Sequence, residues 1–404
     1  MLHGGFGIYY TSLERIGSEN QLALNPPNLI NKTIASNVAP VLSPEVGFPS
    51  NFLDPTTINL TQLQNFHIRS VNPSIGSPTV QQWSVGVQRQ LTSACLAEVD
   101  YVGTHATNLD VLRDYNQVQI SGHQVVTSAS APSGTKPYAN FGQIEYLDAV
   151  GFSDYHGLQA RLTRALRNGL SVSAAYTYSH SLDNAPEELE TNSGGAPNGR
   201  NPAAWYSNSD FDVRHRISAN YVYQLLFGTG KAMLQSGPAS WVLRNWTTSW
   251  VYTFYSGHPF QATWSSENPL LDAYGFAVAP PNQVAPVLYL KKTSCWFYDA
   301  SNTNCGGASS GLTTPFADPG QYNIGNVGRN TLVGPRTQLF DFALYRNIAF
   351  TRSVNAELRW EVFNVANHAV FGQPSGNVSN SGVGAITSLS ADPRVMQFAI
   401  RINW

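Results

Sequence analysis

The chain has 404 residues, with 23 Lys and Arg against 25 Asp and Glu. Its net charge of −2 comes with no basic run or stripe, which leaves no electrostatic case for a nucleic acid partner. Charged residues make up only 12%, against roughly 25% in an average soluble protein, and aromatic residues another 12%.

No window approaches the roughly 18 consecutive apolar residues of a membrane helix, and the opening MLHGGFGIYY lacks the charged-then-apolar layout of a signal peptide. The chain is therefore either soluble or crosses a membrane as strands. Its segments follow a period of two, in which side chains alternate between the faces of a strand. A first strand is predicted near 2–11. At 82–91, Trp83, Val85 and Val87 alternate with Ser84, Gly86 and Gln88, and another strand follows at 95–104. At 155–166, Leu158, Ala160 and Leu162 alternate with Gln159, Arg161 and Thr163. At 169–181, Leu170, Val172, Ala174, Tyr176 and Tyr178 oppose Ser171, Ser173, Ala175 and Thr177. At 215–226, Ile217, Ala219, Tyr221, Tyr223 and Leu225 oppose Ser218, Asn220 and Gln224. Segments at 245–264, 337–346, 354–366 and 394–404 complete ten, and helical periodicity is nearly absent.

A soluble β-sandwich has the same alternation, so strand and loop lengths must discriminate. Several segments run ten to thirteen residues. Globular strands most often have about five or six, and a tilted bilayer-spanning strand needs about 9–11. Short connections at Leu91 to Ala94, Arg167 to Asn168 and Asn347 to Ser353 alternate with long ones at 12–81, 105–154, 182–214, 265–336 and 367–393. That is the layout of outer-membrane barrels, with short periplasmic turns and long outer loops. The alternation fails if Ser256 to Pro259 is a turn, and is restored if Gly257 and Pro259 mark a bend within one strand, 245–264. The stretch 227–244 is then a longer inner turn. The expected fold is all-β: an antiparallel transmembrane β-barrel, partial, of about ten strands, with long extracellular loops.

The last segment, RVMQFAIRINW, puts Phe398, Ile400, Ile402 and Trp404 on one face and Gln397, Ala399, Arg401 and Asn403 on the other. An apolar face that continues to the last residue has to be covered by a protein core or by hydrocarbon.

TVQQWSVGVQRQL, EVDYVGTHATNLD, YHGLQARLTRALRNGLSVSAAYTYSHSLDNA and SDFDVRHRISANYVYQLLFG resemble consecutive blocks of the Oar-like TonB-dependent receptors of the bacterial outer membrane. GNVGRNTLVGP, FDFALYRNIAF, ELRWEVFNVANHAVFGQP and RVMQFAIRINW continue the resemblance, in order, from about Gln81 to Trp404. It implies an outer-membrane barrel in contact with outer-membrane lipid. It also implies that the terminal strand, with Phe398, Ile400, Ile402 and Trp404, is similar to the signal recognised by the barrel assembly machinery. Receptors of this kind also carry a signal peptide, a carboxypeptidase-regulatory-like β-domain, a plug and a TonB box, and their barrels have about 22 strands. None of those parts is visible here. The expectation is that 1–404 is one β-barrel region, the C-terminal part of a larger receptor that meets TonB only through a missing N-terminal region.

Motifs for chemistry are sparse. PEELE, with Glu187, Glu188 and Glu190, suits a solvated loop better than a calcium site. FGTGK at 227–231 lacks the spacing of a phosphate-binding loop. DVRHR, with Asp212, Arg214, His215 and Arg216, has no nucleophile in a recognisable elbow and reads as a structural rim of charge. The nine histidines show no metal-ligand spacing, so no metal, no cofactor and no enzymatic activity is expected. Cys295 and Cys305 are spaced for a disulfide, two free thiols being the alternative, and Cys95 is left over. Trp205 and Tyr206, and Trp296, Phe297 and Tyr298, fall in outer loops. Such rings suit contact with a saccharide, a peptide or a small ligand, and equally suit packing of loop on loop.

The function expected is that of an outer-membrane receptor and transporter barrel whose loops bind a ligand and whose polar lumen passes it. The alternatives are a surface-anchoring or adhesive barrel without transport, and a soluble β-rich carbohydrate-binding protein.

Overall fold

A computed structural model describes residues 1–11, 25, 68–128, 134–185, 196–228, 230–265, 280–320, 322–351 and 354–404. Ten strands form one antiparallel meander in which each pairs with its neighbours in chain order. They are β1 (Leu2–Tyr10), β2 (Thr79–Thr92), β3 (Cys95–Asp114), β4 (Ile144–Arg167), β5 (Leu170–Asp183), β6 (His215–Gln224), β7 (Trp246–Tyr255), β8 (Thr337–Ala349), β9 (Asn355–Phe363) and β10 (Val395–Asn403). Two short pieces join the same sheet: Ile68–Val71 runs parallel to Ile144–Leu147, and Ser207–Asn208 pairs with Leu182–Asp183. Among the described residues the sheet is open, with β1 and β10 at its two edges.

The register converts the sequence alternation into two chemically distinct faces. One row across the sheet reads Leu2, Val87, Val99, Ala160, Tyr176, Ile217 and Phe254. The adjacent row on the opposite face reads His3, Gly86, Asp100, Gln159, Thr177, Arg216 and Tyr255. The apolar face continues through Trp250, Phe342, Val362 and Met396, and the polar one through Asp341, Glu361 and Gln397.

Much of the apolar face is left uncovered by the described residues, although Val362 and Ala356 on it are buried. Phe6 is 67% exposed, Phe398 78% and Ile400 71%. The main buried cluster lies in the loops instead, around Ala262, Phe297, Phe316, Val327, Leu332, Val378 and Val383. A soluble sandwich would invert this arrangement and bury the apolar face of the strands.

All the long connections leave one edge of the sheet, at 11–78, 115–143, 184–214, 256–336 and 364–394, and the shorter ones leave the other, at 93–94, 168–169, 225–245 and 350–354. At Asn168 and Gly169, both with positive φ (54° and 77°), the chain reverses between β4 and β5, a two-residue hairpin geometry that Asn-Gly favours.

Two expectations need correction. The stretch 105–154 is not all loop: β3 runs on to Asp114 and β4 starts at Ile144, and the two pair to their outer ends. Their outer parts mix buried Val111, Leu112 and Leu147 with Asp110, Asp114, Glu145 and Asp148, so no clean alternation of apolar and polar residues marks them as strand. Nor is 245–264 one bent strand. β7 ends at Tyr255, and Pro259–Phe260 leaves the sheet to pair with Leu332–Val333. The backbone at Gly257 passes so close to Gly334 that a Cβ there would lie 1.8 Å from the Gly334 carbonyl oxygen. The chain still crosses only once, so the count of ten is unaffected.

Candidate functional site: the outer loops and the polar face

The outer loops are fastened to the rim of the sheet by buried polar groups. In the segment GNVGRN, Arg329 is 2% exposed and donates to Asp183 at the end of β5 and, at 2.5 Å, to Asp210. Beside it, Asn330 and Asn208 exchange side-chain to carbonyl hydrogen bonds of 3.0 and 2.9 Å, and Asn330 also donates to Asp210 at 2.6 Å. Two sequentially distant loops are thereby locked together. DVRHR is likewise structural: buried Asp212 accepts from the Ser181 amide at 2.8 Å and from Arg214 Nε at 2.9 Å.

The five aromatic loop residues divide. Trp205 closes a single 3-10 turn, Pro202–Trp205, and is buried. Phe297 and Tyr298 are fully buried, Phe297 in the loop core and Tyr298 beside the Cys295–Cys305 disulfide, which is closed. The Tyr298 hydroxyl lies 3.1 Å from both the Gly307 and the Leu312 carbonyl oxygens, which share its one proton, and accepts from Ser310 at 2.7 Å. These three rings are taken up in packing loop on loop. Trp296 and Tyr206 keep partly exposed surface. Trp296 donates through Nε1 to the Val333 carbonyl at 2.8 Å. The Tyr206 hydroxyl donates to Asp154 at 2.7 Å while its ring stacks on Phe152 at 5.0 Å. Burial first, and the Asp154 carboxylate second, push the Tyr206 phenol well above its ordinary value of 10.0. The acidic cluster at Glu187, Glu188 and Glu190 lies outside the described residues.

The polar face of the sheet carries charge in pairs. Arg359 bridges Glu357 and Glu361 on its own strand at 3.0 and 3.2 Å, and Glu361 accepts from Gln397 of β10. At the other edge, His3 of β1 meets Asp100 and Glu98 of β3 across Gly86. No reading of spacing along the chain finds this group, because strand register assembles it from residues 95 or more positions apart. The signal that exists is a side-chain-free Gly86 in a polar row.

One group of aromatic rings on the apolar face lies toward the outer rim. Trp83 lies over Gly103, and the Tyr101 hydroxyl meets His156 Nδ1 at 2.8 Å with the two rings stacked. Tyr176 stacks on His215 in the same way, its hydroxyl 2.9 Å from the imidazole Nδ1, and Tyr178 lies tilted on the same ring at 5.1 Å. Rings with one wet edge suit a membrane interface. In the terminal strand Phe398 stacks on Trp360 at 6.1 Å, Ile400 and Ile402 lie opposite Leu358 and Ala356, and Trp404 follows, 91% exposed.

Comparison with known proteins agrees with this geometry. A family model described as outer membrane beta barrel domain matches residues 1–397. Among solved structures, the outer membrane transporter YddB from Escherichia coli is similar at 12% identity, over 84% of this chain and 34% of that one, with a TM-score of 0.41. The FrpB iron transporter from Neisseria meningitidis is similar at 10% identity, over 83% and 33%, with a TM-score of 0.39. The pyoverdine outer membrane receptor FpvA from Pseudomonas aeruginosa PAO1 is similar at 11% identity, over 81% and 30%, with a TM-score of 0.37. The chain thus spans about a third of the length of those structures. No curated protein matches it.

Proposed function

Because the chain belongs to the family of outer membrane beta barrel domains, we propose that it forms part of the wall of a receptor that takes up a ligand across the bacterial outer membrane. The outer loops bind the ligand and the polar face of the sheet lines its path inward. The observation that supports this most directly is the difference between the faces, with His3, Asp100, Gln159, Thr177, Arg216, Glu361 and Gln397 opposite the largely exposed apolar rows. A barrel that served only as an anchor has no use for so continuous a charged and hydrogen-bonding surface.

In this reading the ten strands are the C-terminal part of a larger barrel, since among the described residues both edge strands pair on one side only and hydrocarbon cannot satisfy the other. The TonB contact is made by a region N-terminal to this one. Phe398, Ile400, Ile402 and Trp404 serve assembly as well as lipid contact, as the strand that the barrel assembly machinery engages. Tyr206 and Trp296, with their exposed edges, are the loop rings best placed to meet a saccharide, peptide or chelate.

The test is labelling of single cysteines in intact cells, in a Cys95→Ser background, with a membrane-impermeant maleimide. Ser121→Cys in an outer loop should label and Gln235→Cys in the inner turn should label only after permeabilisation. Labelling of both positions in intact cells, or of neither, would sink the reading.

A further inference from the structure

We infer that His3, Glu98 and Asp100 form a binding site for a divalent first-row transition cation on the polar face of the barrel wall. The three donor atoms come from two strands separated by a third. His3 of β1 and Asp100 of β3 both lie level with Gly86 of β2. The imidazole Nε2 is 2.7 Å from Asp100 Oδ1 and 3.9 Å from Glu98 Oε1, and the side chains of all three are between one fifth and about one third exposed. The ligand atoms of the group lie within 4.8 Å of one another, and a cation at about 2.0–2.2 Å from each donor holds them no more than about 4.4 Å apart, so binding replaces the His3–Asp100 hydrogen bond and draws the three side chains together by rotation.

Gly86 makes the convergence possible. A Cβ built there would lie 1.7 Å from Asp100 Oδ1 and 2.6 Å from His3 Nε2, so the volume where the donors meet is the space of the missing side chain. Strands two apart in a sheet are about 10 Å apart, and side chains on them meet only when the intervening position is empty. Glycine otherwise weakens a strand interior, and here it opens a cradle walled by an imidazole and two carboxylates.

The donor set selects the class of ion. An imidazole nitrogen with two carboxylates suits zinc and its first-row neighbours, while calcium prefers six to eight oxygens. Two carboxylates and a neutral imidazole supply two negative charges against a 2+ ion. The remaining coordination positions face the lumen and fall to water. Arg161 of β4, in register with Glu98, and Gln159, in register with Asp100, are the neighbouring polar groups on β4. With only three protein donors and the rest of the shell left to water, the site is expected to bind at micromolar rather than structural-zinc affinity.

The test is calorimetric titration of the untagged chain, folded in detergent, with zinc chloride, and with calcium chloride as a second probe. The expected result is one zinc site per chain, with calcium at least 10-fold weaker. His3→Gln and Asp100→Asn should each weaken zinc at least 10-fold, and Gly86→Ala should do the same by filling the cradle. Glu361→Gln, on the same face but at the far edge, should leave binding unchanged. Far-UV circular dichroism and heat-modifiable migration report whether each variant is folded. Absence of zinc binding by the unaltered chain overturns the proposal, as does undiminished binding by folded His3→Gln and Asp100→Asn. The outcome is independent of whether the barrel transports, since it reads the cation alone.

Discussion

Arg329 and Asp183, separated by 146 residues in the sequence, form a buried ion pair that fastens the loop after β7 to the outer end of β5. The guanidinium also holds Asp210, so one side chain neutralises two carboxylates from different parts of the rim. Removing one member of a buried pair leaves its partner's charge desolvated and unpaired, which costs about 3–5 kcal/mol. Arg329→Ala is therefore expected to release the outer loops while the membrane strands persist. Limited proteolysis should cut within 184–214 and 256–336, with heat-modifiable migration of the barrel retained. Asp183→Asn should do less harm than Arg329→Ala, because it leaves Arg329 its contact with Asp210.

The Cys295–Cys305 disulfide closes a loop of sequence separation 10, for which the chain-entropy estimate is about 3 kcal/mol. The cross-link acts on the buried loop core around Phe297 and Tyr298 rather than on the sheet. Reduction, or replacement of both cysteines by serine, should raise hydrogen exchange across 288–316 and leave the strands protected. Equal loss of protection in β4 and β5 would show that loop and sheet unfold as one unit.

The sheet was largely legible in the sequence because lipid imposes its pattern residue by residue: a strand with hydrocarbon on one side must alternate throughout the apolar band. All ten strands fall where alternation places them, and the error at 105–154 lies where β3 and β4 lose that alternation. The loops were less legible. Trp205, Phe297 and Tyr298 have the composition of ligand-contacting rings, and only the three-dimensional packing shows them buried. Arg329 gave no local signal at all, its partners being set by loop geometry and not by spacing. The same holds for His3 and Asp100, which strand register alone brings together.

Tyr206 makes loop docking sensitive to alkali. Its folded-state phenol lies above the unfolded value of 10.0, raised by burial and then by the hydrogen bond it donates to Asp154. The folded state therefore holds its proton more tightly, so the contribution is fully present below about pH 10 and is lost as pH rises beyond it. Tyr206→Phe keeps the stacking on Phe152 but has no proton to lose. It should weaken docking of the 196–214 segment by about 1 kcal/mol at neutral pH and flatten its loss between pH 10 and 11, followed by proteolysis rates. An unchanged alkaline profile in the variant would place the titrating group elsewhere.

The two faces of β10 provide the most direct test of what surrounds the sheet. Phe398 and Gln397 are adjacent in sequence and point to opposite sides, Phe398 against Trp360 and Gln397 against Glu361. A lysine on a lipid-facing position near the middle of the bilayer costs about 2–4 kcal/mol, whereas one facing a polar lumen is hydrated and here gains a carboxylate neighbour. Phe398→Lys should therefore lower the yield of folded, heat-modifiable protein in outer membranes severalfold, and Gln397→Lys should leave it near that of the unaltered chain. The direction of the difference is the informative part. Were protein the cover for this face, both lysines would be judged by local packing alone, and the neighbour with the carboxylate partner would hold no such advantage. Equal tolerance at the two positions would mean that hydrocarbon does not lie against Phe398, and the assignment of inner and outer faces across all ten strands would have to be reversed or abandoned.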